Sequence, residues 1–214
     1  MANSNVSFGL KPIGILGAAP YSSGVTEYRI ASDNSNPIFQ GMAVIPLAAG
    51  VIDDLQAAAG GNVGIAGVFN GCEYVSSTTG EKIFSNYWPG SGADSNFPVK
   101  AFLYDNPNQL FTICTSNVVS AANTEAEVRA AVFANIAFAT GNSGSTTTGI
   151  STATADLNTI ATTNTLALRI MGVQDDPENS DFTAAGIPLI VRINNHFNAP
   201  TGSIAAATVS TTGV

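Results

Sequence analysis

Short runs of apolar residues, separated by Gly, Pro, Asn and Asp, recur along the chain and are typical of antiparallel strands. The clearest four fall in the stretch 60–115 and are rich in β-branched and aromatic residues, which favour strands. They are Val63–Val75, Glu81–Tyr87, Val99–Tyr104 and Gln109–Thr115. Further strands are predicted at Val25–Ala31, Phe39–Pro46, Gly50–Leu55, Leu166–Val173 and Ile187–Phe197. The pattern predicts a mainly β protein with an antiparallel β-barrel or β-sandwich body.

One segment has a helical pattern. Thr124 and Glu127 fit a capping box, in which each side chain accepts a hydrogen bond from the other residue's backbone. The box predicts a short helix over Glu125–Ala134, followed by an extended segment over Asn135–Ala139. The next stretch, 140–165, is dominated by Gly, Ser, Thr and Asn, which predicts a long loop or projecting flap.

The ends of the chain differ from its middle. Residues 1–23 mix isolated apolar residues with Gly and Pro, which predicts an extended N-terminal arm. Its apolar side chains need a hydrophobic partner, either their own domain or a neighbouring subunit. Residues 24–198 form a single predicted β-rich domain. Residues 199–214 carry no charge and no clear period, which predicts a flexible C-terminal tail.

Charge is scarce along the whole chain. Charged residues make up 10% of the sequence, against roughly 25% in a typical soluble domain. A surface of small neutral groups costs little to desolvate and suits protein–protein contact, although a low-charge β protein explains the composition equally well. The net charge is −8 and the seven basic residues are scattered, which disfavours binding to nucleic acid or to an anionic membrane surface.

The two cysteines lie in predicted strands. Cys72 and Cys114 have apolar neighbours, so buried free thiols are favoured over a disulfide between facing strands. No secretory signal is visible and no apolar run reaches the length of a membrane span. We therefore expect a protein made in a reducing cytoplasm, with no membrane partner.

Residues that could support catalysis are few. His196 is the only histidine and lacks the partners of a hydrolytic triad, so packing or surface hydrogen bonding is the favoured role. The carboxylates of Asp175–Asp181 lack the spacing of a calcium loop, which favours a solvated turn. One His and two distant Cys do not supply zinc-ligand spacing. We expect no enzyme activity, no cofactor and no metal.

An aromatic group in the middle of the chain admits two interpretations. The rings could form a platform that stacks on sugars, or they could fill the core or a subunit interface, which alternating strand positions favour. The group consists of Tyr74, Phe84, Tyr87, Trp88 and Phe97.

A family resemblance spans most of the chain. The segments GVFNGCEYVSSTTGEKIFSNYWPGSG, VKAFLYDNPNQLF, GNSGSTTTGIS, LRIMGVQDDPEN and VRINNHF, together with SFGLKPI and IFQGMAVIP, are the ones concerned. The chain resembles capsid decoration, or cement, proteins of tailed double-stranded DNA bacteriophages, marine ones especially. The resemblance implies a β-barrel or β-sandwich body that is made in the host cytoplasm and binds the outer surface of the virion. Its partner would be the major capsid protein, whose neighbouring subunits it would clamp as a homo-oligomer, either a trimer or a dimer.

Three segments are the predicted interface with that partner, because they hold unplaced apolar groups or long loops. They are the N-terminal arm with Phe8, Leu10 and Ile13, the loop with Tyr87 and Trp88, and the flap with Thr146, Thr147 and Thr148. The alternative function is a tail or head-fibre component, or a carbohydrate-binding surface module of a virion.

Overall fold

The computed structural model describes residues 3–4, 6–17, 24–55, 64–116, 122–141 and 143–199. Within these ranges the chain forms twelve strands, one α-helix and one short 3-10 helix at Pro177–Asn179. The strands are β1 Lys11–Ile15, β2 Thr26–Ile30, β3 Ala43–Pro46, β4 Ile52–Asp54, β5 Gly67–Val75, β6 Lys82–Ser85, β7 Val99–Tyr104, β8 Gln109–Cys114, β9 Asn135–Thr140, β10 Thr154–Ala161, β11 Leu168–Val173 and β12 Pro188–Ile193; the helix is α1, Glu125–Ala130. The predicted mainly β fold with one short helix is confirmed.

Five strands close into a small barrel. They follow the order β3-β4-β2-β7-β5, and β3 pairs with β5 to complete the ring. Strand β6 extends the sheet beyond the ring by pairing with β5. The inward side chains form a core centred on Phe69, Trp88 and Met42, which are fully buried. The barrel alternative is thus the one that the chain adopts.

The second sheet is open and curled. Its order is β1-β8-β12-β11-β9-β10. The far strand β10 curls back toward β8, where Thr115 and Ala155 form an isolated bridge and the Ser116 amide donates to the Ala155 carbonyl at 2.9 Å. Its core is built on side chains such as Phe111 and Ile136, both fully buried.

The barrel and the open sheet share a core. Strand β5 shows how: Phe69 points into the barrel, whereas the preceding Val68 points outward and packs in the core of the open sheet, as the two-residue repeat of a strand requires. Ala43, Leu55 and Ile65 reach the same core from the barrel side. Both sheets are therefore joined through buried apolar side chains.

The four strands predicted in the stretch 60–115, which the pattern indicated as one antiparallel unit, are divided between the two sheets. Strands β5, β6 and β7 belong to the barrel, but β8 lies in the open sheet between β1 and β12. The turn after Tyr104 carries the chain from one sheet to the other. A hairpin signal in the sequence marks a change of direction and does not specify the strand with which the next one pairs. The four strands pair antiparallel with their neighbours, as predicted, but they do not form one unit.

The predicted helix and flap need correction, and the arm takes the first of its two predicted partners, its own domain. Within the described part of 1–23, β1 pairs with β8, so the arm folds back onto its own chain. The capping box of Thr124 and Glu127 is confirmed. However, α1 ends at Ala130 rather than at 134, and β9 begins at Asn135. Strand β10 occupies part of the predicted flap 140–165. Of the predicted tail, only Ala199 is among the described residues, and 200–214 lie outside them.

Candidate functional site: an uncharged face built from four segments

The N-terminal arm forms the first part of the site. Strand β1 adds to the edge of the open sheet, and just before it the Leu10 amide donates to the carbonyl of Gly41 at 2.8 Å. The side chain of Leu10 is 1% exposed and belongs to the core of the open sheet. The arm therefore lies between the two sheets and fastens the 38–42 segment of the barrel to the open sheet.

The predicted flap meets the barrel through its backbone. The Gln40 amide donates to the Gly149 carbonyl at 3.0 Å, and the Ser151 amide donates to the Gln40 carbonyl at 2.9 Å. Gly149 has a φ of +71°, and a Cβ there would lie 2.3 Å from Oδ1 of Asn86. A larger residue at this positive φ would be strained, and its Cβ would displace the Asn86 amide. Asn86 in turn donates through Nδ2 to the Thr148 carbonyl at 2.9 Å, which joins the flap to the loop that carries Trp88.

Trp88 holds that loop in place from inside the barrel. Its ring is 0% exposed, and Nε1 donates to the Asn34 carbonyl at 3.2 Å. Its backbone exchanges two hydrogen bonds with Ile38, and Tyr74 packs edge-on against the ring at 5.4 Å. Because the ring is fully buried, Trp88 positions the loop and offers no surface for a ligand.

These contacts connect the three predicted interface segments, through residues 38–42, into one continuous set. We call the resulting surface the neutral face and define it by the segments 8–13, 38–42, 84–88 and 144–151. Lys11 is the only charged residue in these four segments. The sequence did not predict that the 38–42 segment belongs to this surface, because its place there depends on its contacts with the arm and the flap.

The predicted interface residues differ in exposure. Thr146, Thr147 and Thr148 are exposed, and Ile13 is 41% exposed. Phe8 and Tyr87 are half-buried, the latter stacked on Phe39 with ring centroids 5.7 Å apart. Leu10 and Trp88 are buried in the protein's own cores, so their side chains are not contact groups and the prediction for these two needs correction. Ile150, which was not predicted, is 39% exposed beside the flap threonines.

The aromatic group does not form a sugar-stacking platform. Tyr74 and Tyr87 pack against the barrel core and Trp88 is inside it. Phe84 and Phe97 are 71% and 50% exposed. The core interpretation is therefore correct for three of the five rings, and the remaining two are surface residues.

His196 is buried at the junction of the sheets. It is 1% exposed, its neighbour Asn198 donates a backbone hydrogen bond to Nδ1 at 3.1 Å, and Nε2 has no partner among the described residues. Burial lowers the pKa of His196 to about 4. The charge of Asp105 acts to raise this pKa, and the charge of Arg192 lowers it further. The histidine is therefore neutral near pH 7 and has a packing role.

The aspartate carboxylates of Asp175–Asp181 are engaged in local hydrogen bonds and an ion pair. Asp176 caps the 3-10 helix by accepting from the Glu178 amide, and Asp175 pairs with Nη2 of Arg129 at 2.6 Å. The Asp181 carboxylate accepts from Thr183, which lowers its pKa. Across the described ranges no three His, Cys, Asp or Glu side chains are grouped so as to hold a metal ion.

The two thiols are inert by position. Both cysteines are free and buried. Burial raises the pKa of Cys72 to about 12 and also raises that of Cys114. Because the thiolate is the nucleophilic form, neither residue is suited to covalent chemistry.

Among the helices that the structure describes, none is long and apolar enough to cross a bilayer. Comparison with known protein families, curated proteins and solved structures found no match to this chain.

Proposed function

We propose that this protein is a structural component of a virion that binds the outer surface of a tailed-bacteriophage capsid and cements neighbouring major-capsid subunits. The observation that carries the proposal is the neutral face. It is a surface of four segments with one charged residue, on a protein whose net charge is −8. The family resemblance of the sequence supplies the kind of partner.

The chemistry of the neutral face favours contact with another protein. Burial of the half-exposed Ile13 and Ile150 is favourable, and neutral hydroxyl and amide groups can be buried at small cost where the partner supplies hydrogen bonds. Burying an unpaired carboxylate is far more costly, and the neutral face contains none. The net charge of −8 keeps free subunits apart in solution.

The construction of the neutral face suits a clamp. Its segments are held by backbone hydrogen bonds to one another and by buried anchors, so little conformational entropy is lost on docking. Many modest contacts repeated over a capsid lattice add up through effective concentration. A protein that bridges subunits in this way raises the stability of the whole shell without catalysing a reaction.

The test is binding to shells assembled from the major capsid protein of the same virus. Thr147→Asp places a carboxylate on the neutral face, and Thr78→Asp makes the same change at an exposed site in the β5–β6 turn. Co-sedimentation with shells should fall about a hundred-fold in affinity for Thr147→Asp, since a desolvated charge costs roughly 3 kcal/mol. Thr78→Asp should bind like the unchanged protein.

A second measurement separates cementing from mere attachment. Shells saturated with the unchanged protein should disrupt at a higher temperature than bare shells. Shells that bind the protein and gain no stability would refute cementing. The absence of binding, or equal binding by both Asp variants, would refute the neutral face as the docking surface.

A further inference from the structure

A cleft of about 680 Å³ opens between the barrel and the open sheet, next to the arm. Its walls come from both sheets: Gln40 and Asn70 on the barrel side, Thr112 and Gln174 on the open sheet. The volume lies within the range of roughly 300–1,000 Å³ that is typical of small-molecule sites. The cleft adjoins the neutral face, to which Phe8, Ile13 and Gln40 of its lining belong, and it has a chemistry of its own.

The polar groups of the cleft are arranged in two hydrogen-bonded couples. Nε2 of Gln40 donates to Oδ1 of Asn70 at 3.1 Å. On the other wall, the Thr112 hydroxyl donates to Oε1 of Gln174 at 2.9 Å. Each couple therefore keeps unused donors and acceptors: Nδ2 of Asn70 with Oε1 of Gln40, and Nε2 of Gln174 with the lone pairs of Thr112. No other described residue bonds to these four groups.

A donor beside an acceptor matches a neighbouring pair of hydroxyl groups, of which one accepts and the other donates. Two such couples in one cleft suit a ligand with several hydroxyl groups. The arm adds the apolar side chains of Phe8 and Ile13, against which the C–H faces of a sugar ring can pack. Lys11 and Asp176 contribute one charge of each sign, so the cleft does not select a charged ligand.

An extended peptide fits this cleft less well. Peptides that add to a sheet edge need a regular row of backbone donors and acceptors. Along the cleft the edge strand is β1, where Pro12 has no N–H and the register with β8 shifts between Pro12 and Gly14. This interruption is a known means of blocking strand addition.

We infer that the cleft binds a neutral oligosaccharide, which Asn70, Gln40, Gln174 and Thr112 hold by hydrogen bonds to neighbouring hydroxyl groups. The inference concerns a second activity and does not depend on capsid binding. It also assigns the sugar to a site other than the aromatic group around Trp88.

The experiment is ligand-observed NMR on the full chain with a panel of neutral tri- and tetrasaccharides, namely malto-, cello- and N-acetylglucosamine oligomers. Asn70→Leu and Gln174→Met keep side-chain size and remove one amide each. Asn96→Leu removes an exposed amide outside the cleft and serves as the matched control. Circular dichroism confirms that each variant is folded.

At least one saccharide should bind saturably. Each cleft variant should weaken that binding about ten-fold, the loss expected for one hydrogen bond to the ligand, and Asn96→Leu should leave it unchanged. Failure of the whole panel to bind would overturn the inference, as would binding that both cleft variants leave intact. Binding of an uncharged extended peptide in the cleft, with no saccharide bound, would also overturn it.

Discussion

Burial of the only histidine makes the stability of this protein depend on pH in a defined window. In the folded chain Nδ1 of His196 accepts a hydrogen bond from the Asn198 amide, so the neutral ring carries its proton on Nε2. Protonation would place a second N–H against that amide and a charge in a desolvated site. Both effects oppose the charged form, and burial is the main reason why the pKa of His196 is about 4 in the folded protein where the free side chain has 6.5.

The magnitude and the sign follow from linkage. A lowering from 6.5 to about 4 corresponds to about 3 kcal/mol, at roughly 1.4 kcal/mol for each pH unit. Between these values the unfolded chain binds the proton and the folded chain does not. The stabilising contribution of the neutral histidine is therefore complete above pH 6.5 and is lost progressively as the pH falls toward 4.

Urea unfolding followed by fluorescence measures this loss, because Trp88 is the only tryptophan and is fully buried. The control is His196→Asn, which keeps an acceptor near Asn198 and does not titrate. The free energy of unfolding of the unchanged protein should fall by about 3 kcal/mol more than that of the variant between pH 7 and pH 4. Carboxylates titrate in both proteins, so their effect cancels in the difference.

Two results would refute the reasoning. Parallel pH profiles for the two proteins would show that His196 contributes no proton linkage. The imidazole signals of a single histidine can also be followed by NMR in the folded protein, and a midpoint near 6.5 would show that the ring is accessible to solvent.

Three further predictions concern backbone fit, capping and thiol reactivity. Gly149→Ala should destabilise the protein by about 2 kcal/mol or more in urea unfolding, because of its positive φ and the nearby amide. Gly14→Ala, with no atom within 4 Å of the added Cβ, should change little; equal effects would contradict the geometry. Thr124→Ala should cost about 1 kcal/mol by removing the cap of α1, and an unchanged midpoint would show that the cap is not needed. Cys72 and Cys114 should resist a thiol reagent in the native protein and react fully in denaturant; rapid native labelling would contradict their burial.

Local patterns predicted most strands because their side chains alternate between core and solvent. Val99–Tyr104 was predicted with its observed bounds, and its burial alternates along its length. Strand β1 was not predicted because KPIGI contains Pro and Gly and is extended only through its pairing with β8. Strand β10 was not predicted because TADLNTIA is rich in small and polar residues. Its neighbours in the sheet, rather than its composition, determine its conformation.

The candidate sites were predictable only in part. The sequence indicated the arm, the Trp88 loop and the flap, but their meeting depends on contacts such as Asn86 with Thr148, 62 residues apart. The cleft had no signal in the sequence. Its couples join residues 30 and 62 positions apart, and asparagine or glutamine at a single position is common on any surface.

The position of β8 has a consequence for how the chain is assembled and how it bears load. Its two neighbours are β1 and β12, the first and last of the described strands. The barrel strands, all within residues 26–104, can pair as soon as they leave the ribosome, whereas β1 must wait for β8 and the open sheet for β12. Pairings so distant in sequence fold slowly. Once formed, these pairings hold the first and last described strands against the same strand, β8. A force that pulls β1 and β12 apart is therefore resisted by the ladders of hydrogen bonds on both sides of β8.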